Sequence, residues 1–353
     1  MIEAIYRAQE ALRGQVVRTP LVTFPDLNTF LGGRLYLKLE NLQHTGSFKY
    51  RGALNHVRTL VQSSAETPVD IPVDTIRGAQ DVGTVRTVRT VPTVQTVLAV
   101  SSGNHAQAVA KAAKDAGLSA TLVMPSDAPR VKIARVRALG ARVVTFDRQT
   151  EDREAILQAL PEASKAYIIP PYDHPLTIAG QGTIGLEVAE QLEGASLDQL
   201  LICCGGGGLA TGTATALQQA YPALDTTVVE PEGFDDFTRS LTTGTRQSNP
   251  RRVGSLCDAL LTPTPGALTL PLAHNLGIKG VVVSDAQALA AVAYAAQKLR
   301  LIVEPGGAVA LAAALFAKVD LRGKTTVAVI SGGNIDCDVL TEALAIDLQV
   351  FAR

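Results

Sequence analysis

A lysine set in a turn of small residues can attack a carbonyl, and this chain carries one. Lys49 lies in Thr45-Gly46-Ser47-Phe48-Lys49-Tyr50-Arg51-Gly52, where a Gly/Ser turn opens a helical pattern. Partial burial would lower its pKa and let the amine form a Schiff base. A solvated first-turn lysine fits the same residues, so the choice rests on partners elsewhere. Three more turns could supply them. Gly205-Gly206-Gly207-Gly208-Leu209 follows the apolar run LLICC and opens the helical run LATGTATALQQA. Glycines let successive N–H groups point at a phosphate, and the helix adds its positive end. The structural alternative there is a tight, closely packed turn. Ser101-Ser102-Gly103-Asn104-His105 also sits between a strand pattern and a helical one. Its N–H groups and hydroxyls could hold a carboxylate. Equally, Asn104 could be an N-cap and His105 a structural histidine. Ser331-Gly332-Gly333-Asn334 follows TTVAVI and reads by itself as a plain turn.

The elements that must position these turns alternate along the chain. Strand-like apolar runs fall at residues 34–40, 94–100, 119–124, 141–146, 200–204, 226–230, 280–283 and 325–330, with Ala-rich helical patterns between most of them. That alternation predicts an α/β fold with mostly parallel sheets, and ligands in such sheets bind beyond the strand ends. One stretch departs from it. Residues 62–96 carry a degenerate Thr-Val repeat, which reads as a surface insertion with high β propensity.

The 353 residues are enough for one large or two ordinary domains, and 46% of them are apolar. The net charge of −1 gives no argument for nucleic acid or an acidic membrane as partner. The four cysteines, Cys203, Cys204, Cys257 and Cys337, form neither a C-x-x-C pair nor a disulfide framework, which fits a cytoplasmic setting. The amphipathic, charged start MIEAIYRAQEALRG does not read as a signal peptide, and no apolar run reaches membrane-spanning length.

Two rival readings fit part of this. Gly205, Gly207 and Ala210 fall at the dinucleotide-fingerprint spacing, and Glu230 ends the next strand pattern where a ribose-binding acid would stand. A nicotinamide-dependent dehydrogenase follows, but it leaves Lys49 and the other two turns without a role. A non-catalytic cofactor carrier would need Lys49 and no substrate loop.

Taken in order, the motifs resemble the fold-type II pyridoxal-phosphate enzymes, in particular serine racemases, serine/threonine dehydratases and threo-3-hydroxyaspartate ammonia-lyases. The stretches that carry the resemblance are KLENLQHTGSFKYRGALN, SSGNHAQAVAKAAK, MPSDAPRVKIARVRALGARVV, TEDREAI, IPPYDHPLTIAGQGTIGLEV, GGGGLATG, VVEPEGFDD, VEPGGAVALAA and ISGGNID. They are collinear with the family and span most of the chain.

The resemblance implies a tryptophan synthase β-like pair of open, twisted, mostly parallel sheet domains. Residues 1–52 and 169–353 would form a large cofactor-binding domain and 53–168 a small one, in a homodimer. Lys49 would carry pyridoxal 5′-phosphate and act as a base, with Phe48 packed near the ring. Asn104 would bond the ring hydroxyl, Gly205, Gly206, Gly207, Gly208 and Leu209 would cradle the phosphate, and Ser331 would face the pyridine nitrogen near Glu304. Ser101, Ser102, Gly103, Asn104 and His105 would grip the substrate carboxylate. Glu230, the Phe234 carbonyl and Asp236 would hold Mg2+ or Ca2+, an oxygen-only set.

The activity implied is loss of hydroxyl and amino groups from L-threonine or L-serine, giving a 2-oxo acid and ammonia. Ser102 stands where the racemases and hydroxyaspartate lyases have serine, which the resemblance implies is a catalytic acid/base on the ring face opposite Lys49, so those activities are the alternatives. Two departures bear on substrate choice. Cys257-Asp258-Ala259-Leu260 replaces an Asp-Gly turn, and Glu304-Pro305-Gly306 replaces EPT or EPS. Only a short stretch follows Ser331, so no C-terminal regulatory domain is expected.

Overall fold

The computed structural model describes residues 1–65, 94–101, 103–128, 130–147 and 149–351. Most of the Thr-Val stretch, and Ser102, lie outside the described residues. The strands are β1 (Leu21–Thr23), β2 (Arg34–Leu39), β3 (Thr96–Val100), β4 (Ser119–Pro125), β5 (Arg142–Phe146), β6 (Tyr167–Ile168), β7 (Gln199–Cys203), β8 (Asp225–Pro231), β9 (Lys279–Val283) and β10 (Thr325–Ile330). They form a six-stranded sheet of order β1-β2-β10-β7-β8-β9 and a four-stranded sheet of order β5-β4-β3-β6. Every pair is parallel except β1 with β2.

The α/β architecture anticipated from the alternation is the one found. All eight anticipated strands are present, with ends shifted by a residue or two. The Thr-Val stretch ends where β3 begins, at Thr96. β1 and β6 add to them; at three and two residues they are too short to show a period.

Continuous apolar runs mark strands covered on both faces. β7 is buried at all five positions. The helix Pro305–Leu315 is buried along its whole length and packs with β7 and β10 in the larger core. The smaller core joins Val97, Leu122 and Met124 to the alanines of the helix Asn104–Asp115. Among the described residues no helix is long and apolar enough to cross a membrane.

Inside this apolar frame sits a buried charged cluster. Arg51, fully buried on the helix Lys49–Ala65, donates through Nε and Nη2 to the two oxygens of Glu40, at 2.8 Å each. Its Nη1 and Nη2 donate to the two oxygens of Glu187, at 2.7 and 2.9 Å. Lys38 on β2 completes the group, donating to Glu187 Oε2 at 2.6 Å and to the Thr19 carbonyl at 2.8 Å. Burial opposes the charge on Glu40, yet Arg51 holds it below its ordinary value. Glu187 belongs to the helix Pro175–Gln191. The cluster therefore ties three elements to one point, two residues from Lys49.

Arg51→Met should remove about 3–5 kcal/mol of stability, because it strands two buried carboxylates. Arg51→Lys should lose a large part of this, since an ammonium cannot make two forked pairs. Denaturant unfolding measures both; a loss under about 1 kcal/mol for Arg51→Met would refute the clamp.

Candidate active site

The chain enters the site through residues 45–49. Ser47 pairs with Gly332 in an isolated bridge, and Phe48 N–H donates to the Ser331 carbonyl at 3.1 Å. This ties the Lys49 turn to the loop leaving β10. Lys49 begins its helix and sends Nζ to the Pro171 carbonyl at 2.8 Å, 5.0 Å from the Phe48 ring centroid. Burial lowers its pKa to about 8.

Lys49 faces a cavity of about 380 Å³. Its walls come from the ends of strands in both sheets. Phe48, Ser101, Asn104, His105, Gly205 to Leu209 and Ser331 all line it, so the structure brings together residues spread over most of the chain. Gly103 lies beside the cavity, at the N-cap of the helix Asn104–Asp115. Asn104 is therefore the first helical residue, and the N-cap reading of it is corrected. A helix cap needs non-helical backbone, and here that backbone belongs to Gly103.

The glycine loop has the geometry of an anion cradle. Gly207 has φ of 93°, and a Cβ on Gly206 would fall 2.1 Å from the Tyr172 ring. The helix Gly208–Ala220 starts there, and first-turn N–H groups have no partner within a helix.

Two neutral groups meet on the wall beneath Lys49. Cys203 Sγ donates to Ser331 Oγ at 3.2 Å, and burial pushes the thiol up to about 11. Glu304 sits apart from this pair. Its Oε1 accepts from Asn104 Nδ2 at 2.5 Å, and its backbone N–H donates to the Gly332 carbonyl at 3.1 Å. His105 donates from Nε2 to the Ile169 carbonyl at 2.8 Å, and burial and Lys49 lower its pKa to about 3. Its ring is neutral and engaged, which leaves its backbone N–H for a ligand.

The anticipated cation ligands lie outside the cavity. Glu230 is buried, with Oε1 accepting from Phe237 N–H at 3.1 Å and Oε2 from Thr238 N–H at 2.6 Å. Asp236 Oδ1 accepts from Asn249 Nδ2 at 2.5 Å. Among the described residues no group of three or more His, Cys, Asp or Glu could hold a metal ion.

Sequence reasoning missed several residues of the site. Tyr172, Arg153 and Arg246 line the cavity together with Asp258 of the 257–260 turn, and Lys132 lines a small cleft beside it with Asn334 of the last glycine turn. Their motifs are visible in the sequence, but nothing in the residue types marks which side chains turn inward.

The family described as "Pyridoxal-phosphate dependent enzyme" matches residues 12–332. This chain belongs to that family. The L-threo-3-hydroxyaspartate ammonia-lyase of a Pseudomonas species is 36% identical over 336 residues, 95% of each chain. The T.th. threonine deaminase matches with a TM-score of 0.79 and 38% identity, covering 95% of this chain and 98% of its own. Maize serine racemase matches with a TM-score of 0.82 and 30% identity over 100% of this chain and 99% of its own. The fold is thus that of the fold-type II pyridoxal-phosphate enzymes, and the activity class is lyase or racemase. The nicotinamide reading falls away, because the glycine loop belongs to a pyridoxal-phosphate enzyme.

The residues present fit the cofactor: a glycine cradle at a helix start, a buried lysine of lowered pKa, and polar groups around one cavity. Covalent capture of pyridoxal phosphate by the apoprotein needs a neutral amine. Its rate should rise with pH up to about 8 and then level off. Growth of the visible band in stopped flow measures it. A rate still climbing near the ordinary lysine pKa of about 10.4 would contradict a perturbed Lys49.

Proposed function

We propose that this protein is a pyridoxal-phosphate-dependent ammonia-lyase that converts L-threonine or L-serine to a 2-oxo acid and ammonia. The observation that carries the reading is Lys49: its buried Nζ reaches a cavity shared with a glycine cradle, Asn104 and Ser331. We read residues 1–52 and 169–353 as the cofactor domain and 53–168 as the small domain, since β3 to β6 fall within the latter.

On this reading Lys49, Gly205 to Leu209, Asn104 and Ser331 hold the cofactor. When bound, it withdraws electrons from the substrate α-carbon. Lys49 Nζ, once free of the cofactor, takes the α-proton; a pKa near 8 keeps a useful fraction neutral at physiological pH. The backbone N–H groups at the start of the helix Asn104–Asp115 orient the substrate carboxylate. Burial of the walls keeps water from competing for the proton.

A specific observation favours 3-hydroxyaspartate as a second substrate. Arg153 and Arg246 put two guanidinium groups on the cavity wall, where a second carboxylate would be held. The Pseudomonas relative carries that activity in its name. Release of 2-oxo acid from L-threonine, L-serine and threo-3-hydroxyaspartate ranks them; a coloured holoenzyme inert to all three would refute the lyase. Ser102→Ala should abolish racemisation by about 10²-fold or more and spare elimination from the L-substrate. Racemisation that survives in that variant rules out Ser102 as the second acid/base.

We also propose that Glu230, the Phe234 carbonyl and Asp236 bind Mg2+ or Ca2+. Two buried carboxyls lie together, and among the described residues Asp236 Oδ2 has no hydrogen-bond partner. Burial and the neighbouring Asp236 push Glu230 up to about 8, and burial pushes Asp236 up to about 7. A cation would offset both. Saturating Mg2+ should raise the thermal midpoint by about 1–1.5 °C per kcal/mol of binding energy, with no such rise in Asp236→Asn. An unmoved midpoint in both ions argues against the site.

A further inference from the structure

The polar residues around Asn104 form one connected chain across the seam between the two sheets. The helix Arg130–Ala138 supplies Lys132 and Arg135, about one turn apart. Arg135 Nη1 donates to Asn334 Oδ1 at 2.6 Å. Asn334 Nδ2 donates to Asn104 Oδ1 at 2.9 Å and to the Thr45 carbonyl at 2.8 Å. Asn104 Nδ2 donates to Glu304 Oε1 at 2.5 Å. Glu304 Oε2 lies 3.6 Å from Lys132 Nζ, which donates to Asp258 Oδ2 at 3.3 Å. The circuit therefore leaves and returns through one helix.

Lys132 is no surface lysine. It is 3% exposed, and its stem lies on Gly103: a Cβ there would be 2.6 Å from Lys132 Cδ. Burial opposes its charge, but Glu304 and Asp258 outweigh that and hold it above the ordinary lysine value. A buried lysine is a poor way to fill space, since an apolar side chain avoids the desolvation. Its position suggests a task set by its partners.

The partner that needs fixing is Asn104. A primary amide presents two donors on one side and an acceptor on the other, and a flip exchanges them. An ionised carboxylate can only accept, so Glu304 fixes the Nδ2 side. The donor from Asn334 fixes the Oδ1 side. One N–H of Asn104 goes to Glu304, and the residue lines the cavity. We propose that Lys132 is a positioning residue: it holds Glu304 as the acceptor of Asn104 while its stem props Gly103, so that the second Asn104 N–H and the helix start at Gly103 to His105 are set for cofactor and substrate. The inference rests on the cofactor reading above.

The test is a double-mutant cycle on the holoenzyme, with Lys132→Met, Asn104→Ala and both together. Three readouts are followed: the visible absorbance maximum, the rate of cofactor loss, and kcat against KM. Lys132→Met should speed cofactor loss by about 10-fold, shift the maximum and raise KM. On the Asn104→Ala background it should change cofactor loss by less than about 2-fold, because the two act in series. Glu304→Gln, which keeps the shape, should move the same readouts the same way if Lys132→Met fails to fold. Full additivity, or wild-type spectra and off-rates with only a lowered thermal midpoint, overturns the proposal. A wild-type chain that takes up no pyridoxal phosphate overturns both it and the cofactor reading. A wild type that binds while these variants behave normally overturns it alone.

Discussion

The interaction on which the rest depends is the forked pairing of Arg51 with Glu40 and Glu187. A buried guanidinium is stable only where every N–H direction meets an acceptor. Glu40 follows β2, Arg51 stands on the Lys49 helix and Glu187 on the helix Pro175–Gln191. Three elements are thereby fixed in rotation as well as distance, because each carboxylate must present both oxygens. Lys49 lies two residues before Arg51, so its backbone takes its place from the clamp. Its side chain is then free to be set by the cavity. The distinction matters chemically. A lysine that must change partners during a reaction needs a rigid base and a loosely held tip, and one hydrogen bond to the Pro171 carbonyl is a loose hold.

Around that fixed point the site is built from strand ends. β3, β7 and β10 deliver Ser101, the glycine loop and Ser331. Parallel strands all point their C-terminal ends one way, so turns remote in sequence converge without further design. The bridge between Ser47 and Gly332 adds the Lys49 turn to the same rim. Arg153, Arg246, Tyr172 and Asp258 line the same cavity, and all four lie in segments outside the glycine turns. On the proposed reading these side chains, rather than the backbone N–H groups of the turns, carry specificity.

What could be read from the sequence follows from this division. Glycines after apolar strands are visible because only glycine serves where a Cβ would strike Tyr172 or where φ is 93°. The strand alternation is visible because both faces are covered. Lys49 by itself is indistinguishable from any first-turn lysine; three distant turns single it out. Lys132 and Arg135 are illegible, since nothing in RVKIARVR marks which of its basic side chains turn inward and only tertiary packing buries Lys132. Glu230 is legible twice over, as ribose ligand and as cation ligand. A carboxylate at a strand end serves either, and only its bonds to Phe237 and Thr238 show which helix claims it.

The placement of Glu304 sharpens the chemistry. The sequence puts a carboxylate and a serine near one another at the two ends of the last helix–strand unit. Had Glu304 turned to Ser331, a negative charge would favour a protonated pyridine nitrogen and a strong electron sink. Its two oxygens go instead to Asn104 and Lys132. Ser331 is left with Cys203, a thiol that burial keeps neutral. A neutral pair cannot stabilise a proton on the ring as a carboxylate would. On the proposed reading the bound cofactor would then be a weaker electron sink, which would favour loss of a β-hydroxyl over reactions that need charge held for long at the α-carbon. On the proposed reading, the same contact that orients Asn104 keeps the carboxylate away from Ser331, so cofactor positioning and reaction type are set by one residue.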